Sequence, residues 1–558
     1  METRLGLFVI VLLVSWTTIK SEDKPCRVRE TGIEGRSILC VCDANYCDTI
    51  TREEPTPGGY VMYTSSQAGQ RFEKFFGELE DMPTPTTPEP TTEPAPEEEE
   101  EVEDENRGYF MDDEDDSEDA QQNSTLFNTV NLRAFTNTQF QKIEGFGGSV
   151  TDAAAINWRK LSDAAQTQMV NTYFGPEGIE YNLIRTHIGG ADFSTHPYTL
   201  NDYPWHDAGL TNFSLTSEDY FYKLPMLLRC IRAATTEVKN TASTWSPPVW
   251  MKTNERITGF GQLRTQYYQA FADYHIRFLE EYEKAGVKFW AITTTNEPIN
   301  GIVPLAPFNS LGWLPSQMAR WVANNLGPTL RNSRFNETLL LAVDDQRYLL
   351  HFYMVGIERE DPRALDYIDG IAIHYYGNFF PPAILRNLQN RYPDKMLLST
   401  EACEGPMPWD LEKVELGSWR RARRYITSIL EDLNHDVVGW IDWNLCLDPT
   451  GGPNWANNFV DAPILVYAED DEFVKQPMYY AMGHFSKFIP RGSRRILVSR
   501  SSIFQLEHLA VMTPQGNMVM VIQNRFHREM NVNVQINTRL LAFRMEPRSV
   551  KTIEINLN

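Results

Sequence analysis

The sequence has no excess of positive charge, few cysteines and, after its first residues, no apolar run long enough to cross a membrane. It carries 51 Lys and Arg against 75 Asp and Glu, for a formal net charge of −24. A chain with this negative balance lacks the excess of basic residues that binds nucleic-acid phosphates, so we expect no nucleic-acid partner. The early apolar run Leu5–Val14 falls well short of the ~20 residues that a spanning helix needs.

Residues 1–21 have the pattern of a secretory signal peptide. A basic residue precedes the short apolar run, and small or polar residues follow it by Ser21. A membrane anchor is the alternative, and the shortness of the run argues against it. Three N-x-S/T sequons fit passage through the secretory pathway and predict glycosylation at Asn123, Asn212 and Asn336.

The seven cysteines fall into two groups. Four crowd the mature N-terminus, namely Cys26, Cys40, Cys42 and Cys47. In a secreted chain they favour two disulfides, for which three pairings exist. A zinc site is the alternative, but no nearby histidine completes one. The other three are scattered and predict free buried thiols at Cys230, Cys403 and Cys446.

Most of the negative charge lies in one segment. Residues 78–119 hold 20 Asp and Glu against the single basic residue Arg107, which leaves about −5 for the rest of the chain. A stretch rich in Pro, Thr and Glu cannot bury enough apolar surface to offset its ordering entropy. We therefore predict a disordered acidic insertion over residues 78–122. A tether for a cationic partner is the functional alternative.

The centre of the chain alternates short apolar runs with amphipathic helical segments. Eight such runs start or end at Gly145, Tyr181, Trp245, Phe289, Leu339, Gly370, Met396 and Val437. This alternation is typical of parallel βα units, and 558 residues suffice for a barrel with a second domain. It predicts an α/β fold, a (β/α)8 TIM barrel over residues 145–492, with a short β excursion near 445–476.

The two ends of the chain have a different pattern. Short apolar runs with polar breaks and no helices fill residues 493–558, and similar runs occur in 22–77 and 123–144. We read 22–77 as a disulfide-bearing N-terminal β segment and 123–144 as its return strands. Together with the C-terminal region they predict an additional antiparallel β-domain built from both chain termini.

Two glutamates close strands of the predicted barrel. Glu297 ends the fourth run within Thr295-Asn-Glu-Pro, and Glu401 ends the seventh, 104 residues further on. Residues at the C-terminal ends of barrel strands face the active site. Glycosidic cleavage needs two carboxyl groups, which in retaining enzymes are ~5–5.5 Å apart. The pattern predicts a retaining hydrolase with Glu297 as acid/base and Glu401 as nucleophile; an ordinary ion pair is the alternative.

Other polar and aromatic residues follow the predicted strands. Asn296 offers an amide to a sugar 2-hydroxyl, and His374 and Tyr376 end the sixth strand near Glu401. Trp245 and Trp443 are candidate walls for a sugar face, and Asp192 is a candidate acceptor from sugar hydroxyls. Each has a structural alternative: core packing for the tryptophans, a buried structural histidine for His374 and a loop cap for Asp192.

Several long blocks resemble glycoside hydrolase family 30 over Cys26 to the C-terminus, apart from the acidic insertion. They are Gly145-Phe-Gly-Gly-Ser-Val-Thr-Asp-Ala-Ala-Ala, Leu341-Ala-Val-Asp-Asp-Gln-Arg, Ser399-Thr-Glu-Ala-Cys-Glu-Gly, Gly439-Trp-Ile-Asp-Trp-Asn-Leu, Gly451-Gly-Pro-Asn-Trp and Gly483-His-Phe-Ser-Lys-Phe-Ile-Pro. The resemblance implies a retaining β-glucosidase that cleaves glucosylceramide to glucose and ceramide, with Glu297 and Glu401 in the roles given above.

The same resemblance implies further properties. The glucose-binding positions would be Asp192, Trp245, Asn296, Tyr376, Trp443 and Asn458, and the disulfides would be Cys26–Cys40 and Cys42–Cys47. No metal or organic cofactor is expected. The family's pattern also implies peripheral association with anionic membranes in the lysosome and a saposin-type activator.

The chain departs from the family pattern in one place near the site. Ala306 stands where that pattern, as we align it, has a tyrosine. The aglycone is therefore less firmly predicted than the glucose. A related β-glycosidase for a sterol glucoside or a glycan is the alternative within enzymes, and a catalytically idle lipid-binding or trafficking relative is the alternative outside them.

Overall fold

The computed structural model describes residues 23–82, 128–303, 307–500 and 506–558. Several sequence-based expectations lie outside those residues: the signal peptide, the acidic insertion from residue 83 onward, the sequon at Asn123 and the substitution at Ala306. Asn212 and Asn336, the other two sequon asparagines, are exposed. Within the described ranges, no helix combines the length and the apolar character that crossing a membrane requires.

Within residues 23–82 and 128–144, six strands precede the barrel. They are β1 (Val28–Arg29), β2 (Leu39–Asp43), β3 (Gly59–Ser66), β4 (Glu73–Glu78), β5 (Glu80–Asp81) and β6 (Thr129–Lys142). Disulfides Cys26–Cys40 and Cys42–Cys47 brace β2 and the segments on either side of it. These are the pairs that the family resemblance implies. Cys230, Cys403 and Cys446 are unpaired and buried.

Eight parallel strands then close into a barrel in which β14 pairs with β7, so the predicted fold class is confirmed. The strands are β7 (Gly145–Ser149), β8 (Leu183–Ile188), β9 (Lys239–Thr244), β10 (Ala291–Thr293), β11 (Leu339–Gln346), β12 (Gly370–His374), β13 (Met396–Glu401) and β14 (Val437–Asn444). Nearly every residue in them is buried, as expected for parallel strands with helices outside and a packed interior.

Helices surround the barrel. They are α1 (Asp152–Arg159), α2 (Asp163–Phe174), α3 (Leu224–Ala233), α4 (Tyr268–Lys284), α5 (Pro315–Trp321), α6 (Gly327–Arg331), α7 (Leu350–Glu360), α8 (Ala383–Arg391), α9 (Trp419–Asn434) and α10 (Pro477–Ser486). Local sequence sets several of their starts. The side chains of Thr151, Ser162 and Ser418 accept hydrogen bonds from backbone N–H groups three residues on, which caps α1, α2 and α9.

The remaining strands are β15 (Ile464–Tyr467), β16 (Glu472–Lys475), β17 (Arg494–Arg500), β18 (Glu507–Met512), β19 (Met518–Asn524), β20 (Met530–Ile536), β21 (Arg539–Met545) and β22 (Ser549–Ile555). A ten-stranded sheet has the order β4-β3-β22-β19-β18-β17-β6-β20-β21-β5, so strands from both termini share it. Its β6–β20 pair is parallel, which makes the sheet mixed rather than wholly antiparallel. These two strands come from opposite ends of the chain, and no hairpin forces them to be antiparallel.

The disulfide-bearing strands do not join that sheet. They form a second sheet, of order β1-β2-β16-β15, with the β excursion that follows the barrel's last strand. A buried ion pair between Lys475 and Asp48, 2.6 Å apart, fastens this sheet to the segment that follows the second disulfide. Tyr480 of α10 also donates to Asp48, at 2.6 Å. The N-terminal segment is thus held against the barrel.

The prediction for Glu297 needs a correction, because β10 is only three residues long and ends at Thr293. Glu297 lies four residues further on. The chain between them bends at Thr294 and Asn296, and its backbone bonds to the adjacent strands: Asn296 N–H donates to the Thr244 carbonyl and Glu297 N–H to the Asp344 carbonyl. Hydrogen bonds to the strands on both sides therefore hold this segment in position, although the fourth strand itself is short.

Candidate active site

Glu401 is the last residue of β13, and its carboxylate is 5% exposed. One oxygen, Oε2, accepts a hydrogen bond from the buried Arg185 guanidinium, and Oε1 accepts from the Tyr376 hydroxyl at 2.9 Å. Burial raises the pKa of Glu401, and the charges of His374 and Arg185 oppose that shift. These two cations favour the ionised form that a nucleophile requires.

Glu297 has an unusual backbone. Its φ is +41°, in the left-handed region that non-glycine residues rarely adopt, although it precedes a proline that favours extended geometry. The 3₁₀ turn Pro298–Gly301 follows directly. Such strain persists only where surrounding contacts enforce it, and it clusters at functional sites. Here the hydrogen bonds to the two neighbouring strands enforce it.

The side chain of Glu297 accepts three hydrogen bonds. Oε1 receives one from Gln346 Nε2 at 2.9 Å and one from His374 Nδ1 at 3.0 Å. Oε2 receives one from Asn300 Nδ2 at 2.5 Å. With 7% of its surface exposed, Glu297 is held in one orientation while it still reaches the mouth of the barrel. Its surroundings are neutral amides and one histidine, in contrast to the guanidinium at Glu401.

His374 lies between the two glutamates. Its Nδ1 is 3.0 Å from Glu297 and 3.9 Å from Glu401, and its Nε2 is 3.1 Å from Asp344. Burial alone would lower the pKa of His374, but the charges of Glu401 and Asp344 and the bonds to Asp344 and Glu297 raise it to about 10. Because both ring nitrogens face carboxylates, the ring is an imidazolium with two donors.

One oxygen each of Glu297 and Glu401 and one nitrogen of His374 all lie within 4.8 Å of one another. A metal ion could span that distance. However, an imidazolium has no lone pair for a metal, and the Arg185 charge already neutralises Glu401. The residues present fit a pair of carboxylates beside two protein cations better than they fit a metal site.

Asp344 connects Arg185 and His374 and has no exposed surface. It accepts from Arg185 (2.9 Å), Ser243 (2.6 Å), Thr293 (2.9 Å) and Thr400 (2.6 Å), and it pairs with His374 (3.1 Å). Burial alone would raise the pKa of Asp344, but Arg185 and His374 hold it well below its usual range. One carboxylate thereby ties together residues from six of the eight strands.

Two tryptophans form one wall. The rings of Trp245 and Trp443 are stacked, with centroids 5.1 Å apart and planes inclined by 15°. The Arg185 guanidinium lies 4.9 Å from the first ring and 5.3 Å from the second. Both tryptophans are 2% exposed, so they pack in the core as well as bordering the candidate site. The two interpretations given for them from sequence are therefore compatible.

Asp192 and Asn458 meet on another side. Asp192 Oδ2 accepts from Asn458 Nδ2 at 3.0 Å and from Asn454 Nδ2 at 3.2 Å. Burial raises the pKa of Asp192 to about 7, and the two amides oppose this. Asn296 Oδ1 accepts from Arg185 at 2.8 Å, which orients that amide beside Glu297.

Four residues of this constellation were missed from sequence: Arg185, Asp344, Gln346 and Asn300. Two of them, Asp344 and Gln346, lie at a β-bulge in β11, where the register shifts between Val343 and Asp345 and both Val343 and Asp344 have positive φ. Three consecutive residues contact the site or the turn after Glu297 here: Asp344 bonds to His374, Asp345 to the Ile299 N–H and Gln346 to Glu297. A regular strand would direct the middle one to its other face. A detectable signal was the charged Arg185 within the otherwise uncharged buried strand Leu183–Ile188.

Residues 143–489 match the glycosyl hydrolase family 30 TIM-barrel domain, and residues 492–553 match the glycosyl hydrolase family 30 beta sandwich domain. The chain belongs to glycoside hydrolase family 30. It is 37% identical over 541 residues to the lysosomal acid glucosylceramidase of Mus musculus, covering 96% of this chain and 95% of the mouse protein. Membership of family 30 makes the chain a glycoside hydrolase.

More distant proteins align as well. An endo-1,6-beta-D-glucanase of Trichoderma harzianum is 26% identical over 71% of this chain and 80% of its own length. The crystal structure of SrfJ from Salmonella typhimurium superposes with a TM-score of 0.74 at 25% identity, covering 90% of this chain and all of SrfJ. SrfJ thus shares the fold of this chain over most of its length.

Proposed function

We propose that this chain is a retaining β-glucosidase that hydrolyses glucosylceramide to glucose and ceramide, with Glu297 as acid/base and Glu401 as nucleophile. One observation carries the proposal. A carboxylate oxygen of Glu297 and one of Glu401 lie within 4.8 Å of each other, and Glu401 accepts from the Arg185 guanidinium whereas Glu297 accepts from two amides and from His374. That separation suits direct attack by one carboxylate, whereas inverting enzymes keep the two groups ~6.5–9.5 Å apart to admit a water.

In the first step, Glu401 forms a C–O bond to the anomeric carbon of glucose. The glycosidic C–O bond breaks, and the proton of Glu297 moves to the departing oxygen, which leaves as the ceramide hydroxyl. Arg185 and Tyr376 hold Glu401 so that one carboxylate oxygen approaches the sugar. His374 and Gln346 hold Glu297 for the proton transfer.

In the second step, the Glu297 carboxylate takes a proton from water. The water oxygen bonds to the anomeric carbon, the bond to Glu401 breaks, and glucose is released with both carboxyl groups restored. The same residue thus acts first as acid and then as base. The amides of Gln346 and Asn300 and the His374 ring stabilise its ionised form, while Arg185 bonds to Glu401 instead.

Glucose recognition is proposed for the polar residues around the two glutamates. Asp192 and Asn458 would contact sugar hydroxyls, and Asn296, with its amide oxygen held by Arg185, would donate to the 2-hydroxyl. Trp245 and Trp443 would border the apolar face of the ring. Tyr376, which donates to Glu401, would contact the sugar on the side that faces the nucleophile.

The lipid part of the proposal is supported by the relatives. A match over nearly the whole length of a lysosomal acid glucosylceramidase favours glucosylceramide as substrate and the lysosome as location. Peripheral association with anionic membranes and a saposin-type activator are proposed from the family resemblance alone. No step of the chemistry depends on either.

Hydrolysis of glucosylceramide in anionic vesicles at acidic pH tests this proposal. We expect turnover by the wild-type chain and a loss of about a thousand-fold or more in Glu401→Gln and in Glu297→Gln. If neither the wild type nor an activator-supplemented reaction releases glucose from the lipid, the glucosylceramide assignment is wrong.

A related β-glycosidase activity is the second candidate. The similarity to an endo-1,6-beta-D-glucanase favours it, because an enzyme named for a different substrate aligns over 71% of this chain. Side-by-side assays on glucosylceramide, a sterol glucoside and β-1,6-glucan separate the two. A catalytically idle relative is disfavoured, because an idle protein has no chemical need for Arg185, His374 and both glutamates.

A further inference from the structure

Asn300 contacts Glu297 twice. It lies in the 3₁₀ turn Pro298–Gly301, where its backbone N–H donates to the Glu297 carbonyl at 3.0 Å. Its side-chain Nδ2 donates to Glu297 Oε2 at 2.5 Å. Asparagine in a turn usually bonds to nearby backbone with its side chain. Here the side chain instead meets the carboxylate proposed to deliver the proton.

The turn that carries Asn300 is fixed at several points. The buried Asp345 accepts from the Ile299 N–H at 3.1 Å. Gly261 N–H donates to the Gly301 carbonyl at 3.1 Å, so the end of the turn is tied to a neighbouring loop. Asn300 is only partly exposed. Its amide is therefore positioned by the backbone and does not depend on a flexible loop.

Hydrogen-bond capacity locates the acidic proton on Glu297. Oε1 already accepts from Gln346 and from the His374 imidazolium, which uses both of its lone-pair positions. Oε2 accepts only from Asn300 among the described residues. When Glu297 is protonated, the hydrogen must therefore sit on Oε2, the oxygen that Asn300 contacts.

We propose that Asn300 is a positioning residue for proton transfer, which keeps a hydrogen bond to Oε2 of Glu297 in both of its protonation states. The inference rests on the proposed role of Glu297. While Glu297 is ionised, Asn300 donates through Nδ2. While Glu297 is protonated, Nδ2 still donates to the remaining lone pair of Oε2, which leaves the O–H hydrogen free to reach the glycosidic oxygen. One side chain thus serves the acid step and the base step.

This arrangement predicts how the rate depends on pH and on the leaving group. The bond from Nδ2 stabilises the carboxylate that remains after the proton leaves, and hydrogen bonds to charged groups are stronger than neutral ones. Without it, Glu297 holds its proton to higher pH and gives it up less readily. For a substrate whose leaving group departs without protonation, kcat/KM does not change when this hydrogen bond is lost.

The test compares Asn300→Ala and Asn300→Asp with the wild type and with Asn254→Ala. Asn254 is a matched control: its Nδ2 bonds to the Thr258 carbonyl in a loop after β9, at a partly buried position. The measured quantity is kcat/KM against pH, first for glucosylceramide in anionic vesicles and then for 2,4-dinitrophenyl β-glucoside.

For the lipid, we expect Asn300→Ala to lower kcat/KM about tenfold and to move the alkaline limb of the profile upward by about one pH unit. Asn300→Asp should move it further, since a second carboxyl group resists ionisation of the first. For the dinitrophenyl glucoside, Asn300→Ala should match the wild type. Asn254→Ala should leave the limb where it is with either substrate.

Two results would overturn the inference. One is an alkaline limb in Asn300→Ala that coincides with the wild type on the lipid; the other is an equal loss of kcat/KM on both substrates, which indicates a general structural defect. A Glu297→Gln variant assayed in parallel keeps the proposed function separate. If that variant cleaves the lipid like the wild type, Glu297 is not the acid, and Asn300 has no proton transfer to position.

Discussion

Arg185 and Asp344 form an ion pair in which neither side chain has exposed surface, with Nη2 2.9 Å from Oδ2. The pair reaches both proposed catalytic carboxylates. Arg185 donates to Glu401, and Asp344 binds His374, which in turn contacts Glu297. A single buried ion pair therefore sets the geometry of two groups, one at the end of β13 and one in the segment that follows β10.

Replacing Asp344 should destabilise the protein. Asp344→Asn removes the charge and leaves Arg185 buried with less compensation, and breaking a buried pair from one side costs about 3–5 kcal/mol. Denaturant unfolding of the purified variant measures this as a lower midpoint. Asp163→Asn is the control, because its partner Arg229 and the carboxylate itself lie at the surface. Equal midpoints for Asp344→Asn and the wild type would contradict the account.

The protonation of His374 predicts a pH dependence of stability. An unfolded histidine has a pKa of about 6.5, whereas that of His374 is raised to about 10. The contribution of His374 to the unfolding free energy is therefore complete below pH ~6.5. It is lost as the pH rises toward ~10, by at most about 1.4 kcal/mol per pH unit. The difference in unfolding free energy between wild type and His374→Gln should shrink over that range.

His275→Gln provides a control of opposite sign. Burial lowers the pKa of His275 to about 4, so its folded form resists protonation. Stability from the neutral ring is present above pH ~6.5 and is lost as the pH falls from ~6.5 to ~4. A His374→Gln difference that stays constant from pH 6.5 to 10 would mean that the ring is neutral in the native state.

Trp245 should matter for both stability and activity. Trp245→Ala removes a ring that stacks on Trp443 and covers Arg185, and truncating a buried tryptophan costs about 3–5 kcal/mol. We expect a lower unfolding midpoint and, under conditions where the variant is folded, a reduced kcat/KM. Trp158→Ala, in α1 away from the two glutamates, should lose comparable stability. Equal activities of the two folded variants would argue against a role for Trp245 at the site.

Asn454 should affect substrate binding more than chemistry. It donates to Asp192 and to the Asn458 carbonyl, and its Oδ1 accepts from the Asn458 N–H, so it fixes two proposed glucose contacts relative to each other. Asn454→Ala should raise KM several-fold for every β-glucoside and lower kcat by a smaller factor. Steady-state kinetics on two glucosides with different leaving groups measures this. A fall in kcat at unchanged KM would contradict it.

The barrel was predictable because its strands are apolar and its helices amphipathic. The amphipathic segments between the apolar runs form helices, such as α4, Tyr268–Lys284, and α9, Trp419–Asn434. Glu401 was located correctly at the end of β13. The helices were recognisable from their periodicity, since each buries one face against the core.

The support around the glutamates was not predictable from the same signal. Asp344 lies at a β-bulge, and Asn300 lies in a 3₁₀ turn that follows the left-handed residue Glu297. Neither feature has a periodic signature, and hydrogen-bond partners more than 40 residues apart in sequence leave no local pattern. The pairing of the disulfide-bearing strands with the distant β15–β16 hairpin escaped prediction for the same reason.

The most direct test of the two-glutamate account is the configuration of the glucose first released. Time-resolved proton NMR of β-glucoside cleavage by the wild-type chain distinguishes the anomers before they equilibrate. Attack by Glu401 within 4.8 Å of Glu297 predicts β-glucose as the first product, through two inversions at the anomeric carbon. First appearance of α-glucose would mean that water attacks directly, and would contradict Glu401 as the nucleophile.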